Sequence, residues 1–102
     1  MEKPLKRLAD LNTKDCLWIY ILRILSDGPK HAYVLREEIS KKYGFMPGNV
    51  TAYRVLYSLR SDGFVEKKPE GRKEVYTITP NGREILKKAI VFYRNLAEML
   101  KI

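Results

Sequence analysis

From Lys41 to Ser61 the chain carries no carboxylate, yet it holds Lys41, Lys42, Arg54 and Arg60. Within that stretch Asn49, Thr51, Tyr53, Arg54 and Tyr57 bring amide, hydroxyl, phenol and guanidinium groups close together in sequence. These are donors suited to a polyanion with readable edges. A guanidinium can span the acceptor edge of a guanine or grip a phosphate, and hydroxyl and amide groups bond phosphate oxygens. A second basic group, Lys67, Lys68, Arg72 and Lys73, comes soon after, diluted by Glu66, Glu70 and Glu74. Lys30 and His31 are weaker phosphate candidates. Other chemistries fare poorly. His31 and Cys16 are the only histidine and cysteine, so Cys and His cannot assemble a metal site. No Gly-rich phosphate loop, nucleophile–base pair or paired carboxylates stand out, so neither an enzyme nor a cofactor is expected.

The donors need an element to present them. Ala52, Val55, Leu56 and Leu59 fall at i, i+3, i+4 and i+7, one apolar stripe of a helix. The opposite face then carries Arg54, Tyr57 and Ser61, flanked by Thr51, Tyr53 and Ser58. Asn49 is placed to cap the first turn and Gly63 to end the helix. Taken alone, such a helix could be an ordinary amphipathic one with a solvated face, or it could read DNA.

The preceding residues supply a scaffold. Pro4 can open a short helix with Leu5, Leu8 and Leu11 along it. From Asp15 to Ser26 the chain is apolar on most of a helical circumference, with Thr13 as its cap, which predicts burial on more than one side. Cys16 reads as a buried core thiol. Trp18 has two readings: core or interface packing, or an aromatic wall for a flat ligand. Asp27-Gly28-Pro29 is a turn, and His31 starts a second helix over 32–42 with Ala32, Leu35 and Ile39 buried. Residues 43–48 break the pattern and deliver the helix at 49–61. That order is a helix-turn-helix arrangement.

After Gly63 the period becomes strand-like. Residues 64–68 and 73–79 form a hairpin about a turn at Pro69-Glu70-Gly71-Arg72, with the second basic group at its tip. A basic hairpin beside a helix-turn-helix is a wing, though a solvated hairpin has the same pattern. Thr79 caps the last helix and Pro80 fits its first turn. Leu86, Tyr93 and Leu100 form one seven-residue row with Ala89 and Leu96 between them, and Ile85, Phe92 and Met99 form another. One row can cover the domain and leave the other for a second copy, so a homodimer is expected.

With 102 residues, one domain is expected: mainly α with a small β-hairpin. It divides into an N-terminal extension or short helix (1–14), a winged helix-turn-helix DNA-binding domain (15–79) and a C-terminal dimerisation helix (80–102). Twenty Lys and Arg against 12 Asp and Glu give a formal charge of +8, which favours nucleic acid over other partners. No signal peptide and no membrane-spanning run are evident, so a cytoplasmic protein without a membrane partner is expected.

The chain resembles the PadR-like transcriptional regulators. ILRILSDGPKHAYVLREEI is similar to the first two helices of that family, with its His-small-Tyr element at His31-Ala32-Tyr33. VTAYRVLYSLRSDGFVE is similar to the recognition helix, at Tyr53, Leu56, Leu59 and Gly63. GRKEVYTITPNGREIL is similar to the wing and the start of the last helix, at Tyr76, Ile78, Thr79 and Gly82. The resemblance covers residues 17–88. Val50 replaces the small residue common before Thr51, and the long C-terminal region of many members is here one helix. The resemblance implies a dimeric repressor on a palindromic operator in double-stranded DNA, with the third helix in the major groove and the wing in the neighbouring minor groove. It places DNA contacts at Asn49, Thr51, Tyr53, Arg54, Tyr57, Arg72 and Lys73. The ligand sites of that family often lie between dimerisation helices, a region shortened here, which argues against a ligand pocket; a small aromatic effector against Trp18 is the further partner to consider, with its contact residues unknown from sequence. A winged-helix protein-interaction or RNA-binding module is the alternative.

Overall fold

Helix α2 (Leu17–Leu25) is the pivot of the core in the computed structural model, which describes residues 1–102. Leu17, Ile21, Leu22, Ile24 and Leu25 are all buried, as expected of a helix apolar on most sides. They pack against α3 (Ala32–Tyr43), α4 (Asn49–Ser61), α5 (Pro80–Met99) and the hairpin. α3 buries Ala32, Leu35 and Ile39, then stops at Gly44, whose φ of 77° suits a residue without a Cβ. Arg36 Nε donates to the Pro47 carbonyl at 3.0 Å, which ties α3 to the turn before α4.

α4 buries Ala52, Leu56 and Leu59 and half-buries Val55, the stripe expected from its spacing. Its end is closed by two backbone bonds, Phe64 N–H to Leu59 carbonyl and Gly63 N–H to Arg60 carbonyl, with Gly63 at φ 81°. Its start corrects one expectation. Gly48 occupies the cap position, no side chain caps the turn, and Asn49 is already helical. The Asn49 side chain is therefore left out of the helix-starting bonds and is exposed.

Three antiparallel strands lie in the order β1-β3-β2: β1 (Lys30–His31), β2 (Val65–Glu70) and β3 (Lys73–Ile78). β1 was not expected. It exists because β3 passes alongside, pairing Lys30 with Tyr76 and His31 with Val75. The hairpin is also tighter than the sequence suggests. Glu70 pairs with Lys73, so the turn is Gly71-Arg72 alone, with Gly71 at φ 62°. Pro69 lies inside β2 opposite Glu74, tolerated because β2 is an edge strand and a missing N–H there leaves no inner ladder bond unmade.

α1 (Lys3–Leu11) has no buried residue, and Leu5, Leu8 and Leu11 are exposed. It is anchored at its end: Tyr20 Oη donates to the Asn12 carbonyl at 2.6 Å and Tyr93 Oη donates to Asn12 Oδ1 at 2.9 Å. Thr13 does not cap the next helix. Its hydroxyl donates back to the Ala9 carbonyl, residues Lys14–Cys16 form a 3-10 turn, and α2 proper starts at Leu17 rather than Asp15. Cys16 is half-buried beside Tyr93, outside the core.

Thr79 caps α5 as expected. Its Oγ1 accepts from Gly82 N–H at 3.0 Å and donates to the Gly63 carbonyl at 2.7 Å, joining the end of α4 to the start of α5. Leu86 is buried, Ile85, Ala89, Tyr93 and Leu96 are half-buried, and Ile90, Val91, Phe92, Met99 and Leu100 are exposed. No helix is long and apolar enough to cross a membrane.

Candidate nucleic-acid interface

On α4 the side chains of Asn49, Thr51, Tyr53, Arg54 and Tyr57 are all exposed. Helical spacing separates them into two directions. Tyr53, Tyr57 and Arg60, at i, i+4 and i+7, border a cleft of about 450 Å³ between α4 and the wing, together with Val50, Arg54, Lys67 and Glu74. Arg54 also reaches the other side of the helix, where Trp18, Val55, Leu59, Phe64 and Ile85 line a mainly apolar cleft of about 360 Å³. Tyr53 does not pack inward. It is 48% exposed and faces the wing. Trp18 is half-buried between α2, α4 and α5, so its ring serves the core and one wall of that second cleft at once.

Ion pairing divides the cations. Arg54, Arg60, Lys68, Arg72 and Lys73 have no carboxylate within ion-pair distance. Lys67 is held by Glu74 at 3.2 Å and Lys30 by Glu38 at 3.2 Å. His31 faces Glu70 at 3.6 Å, and its Nδ1 bonds the Glu74 carbonyl at 3.1 Å. Lys30 is therefore tied to α3 and His31 to the wing, which weakens them as phosphate contacts. Arg54 and Arg60 sit on α4 and Lys68, Arg72 and Lys73 on the wing, while Lys3, Arg7, Lys41, Lys88 and Arg94, also without a carboxylate partner, lie elsewhere on the surface.

Tyr76, at the floor of the clefts, is buried, and burial pushes its phenol above the usual range, with Glu74 and Tyr53 adding to the shift and Arg60 opposing it. It therefore stands as a neutral hydroxyl beneath a cationic rim. Arg60 and Tyr33 also border these clefts, although the sequence did not single them out as contacts. Arg60 could have been found from its i+7 spacing to Tyr53. Tyr33 could not, because what brings it here is the β1–β3 pairing.

A tri-helical core, a Gly-ended third helix with a polar outer face and a three-stranded sheet with a basic hairpin define the winged helix-turn-helix class. The chain belongs to the transcriptional regulator PadR-like family, whose model matches residues 21–88. Members of this family are transcriptional regulators rather than enzymes. Among solved structures it is similar to a PadR-like transcription factor from Bacteroides fragilis, with 19% identity, a TM-score of 0.77 and coverage of 92% of this chain and 95% of that one. A transcriptional regulator from Clostridium thermocellum gives 21% identity and a TM-score of 0.76, covering 82% and 88%. A winged-helix DNA-binding protein from STIV gives 16% identity and a TM-score of 0.71, covering 82% and 92%. No curated protein sequence matches the chain.

Proposed function

We propose that this protein is a sequence-specific DNA-binding repressor that acts as a homodimer on a palindromic operator. α4 enters the major groove, presenting Asn49, Thr51, Tyr53, Arg54 and Tyr57, while Arg72 and Lys73 at the wing tip meet the neighbouring minor groove. The observation that carries this reading is the gathering of Arg54 and Arg60 from α4 with Arg72 and Lys73 from the wing around the clefts between these two elements, all four without a carboxylate partner. The exposed apolar residues on the far half of α5 supply the surface for a second copy. A flat aromatic effector would sit beside Trp18, where it would touch Arg54.

Selection of genomic fragments by the purified protein, with footprinting of the selected fragments, tests the reading. Two protected half-sites separated by about one helical turn, 34–36 Å, or a multiple of it, are expected. A protein that retains no duplex at low salt would overturn it.

A further inference from the structure

Tyr33 is 49% exposed, yet its ring is not loose. It stacks on the His31 imidazole, with planes within 8° and centroids 5.8 Å apart, and Lys73 Nζ stands 5.0 Å from its centroid. His31 is itself fixed by the pairing of β1 with β3 and by the bond from its Nδ1 to the Glu74 carbonyl. One strand, one helix and the wing thus contribute a layer each to one stack. Beside it opens a cleft of about 290 Å³, lined also by Tyr53, Arg72, Glu74 and Tyr76.

We propose that this cleft seats one phosphodiester of the duplex backbone, with Tyr33 donating its hydroxyl and Arg72 and Lys73 supplying the charge. The proposal rests on the DNA-binding reading above and adds to it Tyr33, a contact from outside the recognition helix and the wing tip. Three features favour a phosphodiester. Arg72 and Lys73 are the cations of the cleft and neither has a carboxylate partner, whereas the one carboxylate in the lining, on Glu74, is already neutralised by Lys67 at 3.2 Å. The aromatic walls end in hydroxyls, which bond phosphate oxygens without adding charge. The stack holds Tyr33 in place before binding, so little side-chain freedom is lost when it makes the contact. Tyr53 on the opposite wall belongs to α4, so a phosphate held here sets the register of the recognition helix on the duplex.

The test uses a labelled random-sequence duplex of about 30 base pairs, titrated by fluorescence anisotropy between about 50 and 200 mM salt. Tyr33→Phe keeps the ring stack and removes only the hydroxyl. It should weaken binding by about 3- to 10-fold, the worth of one net hydrogen bond, with no change in salt slope. Lys73→Gln should lower the slope by about 0.9, the share of one neutralised phosphate. Thermal melts of both variants check that the fold is intact. A Tyr33→Phe protein that binds as tightly as the wild type would overturn the seat, whatever Lys73→Gln does, and so would an unaltered slope for Lys73→Gln. If the wild type binds and Arg54→Ala weakens a selected site while Tyr33→Phe changes nothing, the seat alone fails. If no form binds duplex at all, the DNA-binding reading fails with it.

Discussion

Arg54 and Lys67 border the same cleft, but only Arg54 is free of a carboxylate. Arg54→Ala should cost about 1–3 kcal/mol of specific operator binding if the guanidinium reads a base edge, measured by anisotropy on the selected site. The double substitution Lys67→Gln/Glu74→Gln removes a neutral pair and should leave the salt slope unaltered, whereas Arg72→Gln should lower it by about 0.9. Equal slopes for all three proteins would remove the wing from the contact surface. The pairing that separates Lys67 from its neighbours was hidden in the sequence. Lys67 stands opposite Tyr76 and Pro69 opposite Glu74, which makes Lys67 and Glu74 diagonal neighbours on one face, and only the strand register reveals that. Gly82 makes a different kind of residue-scale point. A Cβ there would run into the Phe64 carbonyl oxygen and lie 2.8 Å from Ile78 Cγ1. Gly82→Ala should therefore destabilise by about 1–3 kcal/mol, as overpacking does, even though alanine favours a helix. A melt unchanged by that substitution would mean that α5 can move off the hairpin freely.

Elements were legible where their signals are local. The stripe of α4, the Gly63 stop and the Thr79-Pro80 start of α5 depend on residues a turn apart, and all stand as read. Elements or ends that depend on distant partners were not legible. β1 is two residues that become a strand only beside β3. Asn49 loses the cap for a local reason, since the extended Gly48 takes the cap position and Asn49 is already helical. The anchoring of α1 belongs with β1, since Asn12 is reached by Tyr20 from α2 and Tyr93 from α5. The Tyr93 phenol is pushed up to about 12, by burial first and then by the Cys16 thiol beside it. A raised phenol value means that the folded chain favours the neutral form. The stabilising contribution of Tyr93 is then complete below about pH 10, where phenols ionise in the unfolded chain, and is lost as pH rises through about 12. Denaturation of wild type and Tyr93→Phe side by side should show a wild-type advantage at neutral pH that closes across this window. Parallel profiles through pH 12 would remove the phenol from the anchor.

At the scale of the molecule, the proposed second copy has its place on α5. The chain extends 53 Å along its longest axis and only 28 and 21 Å across. α5 has 20 residues, so it is about 30 Å long, and its only buried residues, Gly82 and Leu86, lie in its first half. The far half leaves Ile90, Val91, Phe92 and Met99 exposed, and of these Phe92 and Met99, seven residues apart, share one face. Two such helices packed together would cover it and would set two copies of α4 about a two-fold axis. The double substitution Phe92→Glu/Met99→Glu should convert a dimer to a monomer in sedimentation. The core should survive, because Phe92 and Met99 are 63% and 75% exposed and touch none of it. Operator affinity should then fall by about 10²- to 10⁴-fold, the advantage of linking two modest contacts, while each half-site contact keeps its own dependence on Arg54. A wild type that sediments as a monomer at micromolar concentration would overturn the dimer, and a charged variant that still dimerises would move the pairing surface away from α5. In the first case the palindromic operator would lose its structural basis, and in the second the two copies of α4 would be set about the two-fold axis by another face.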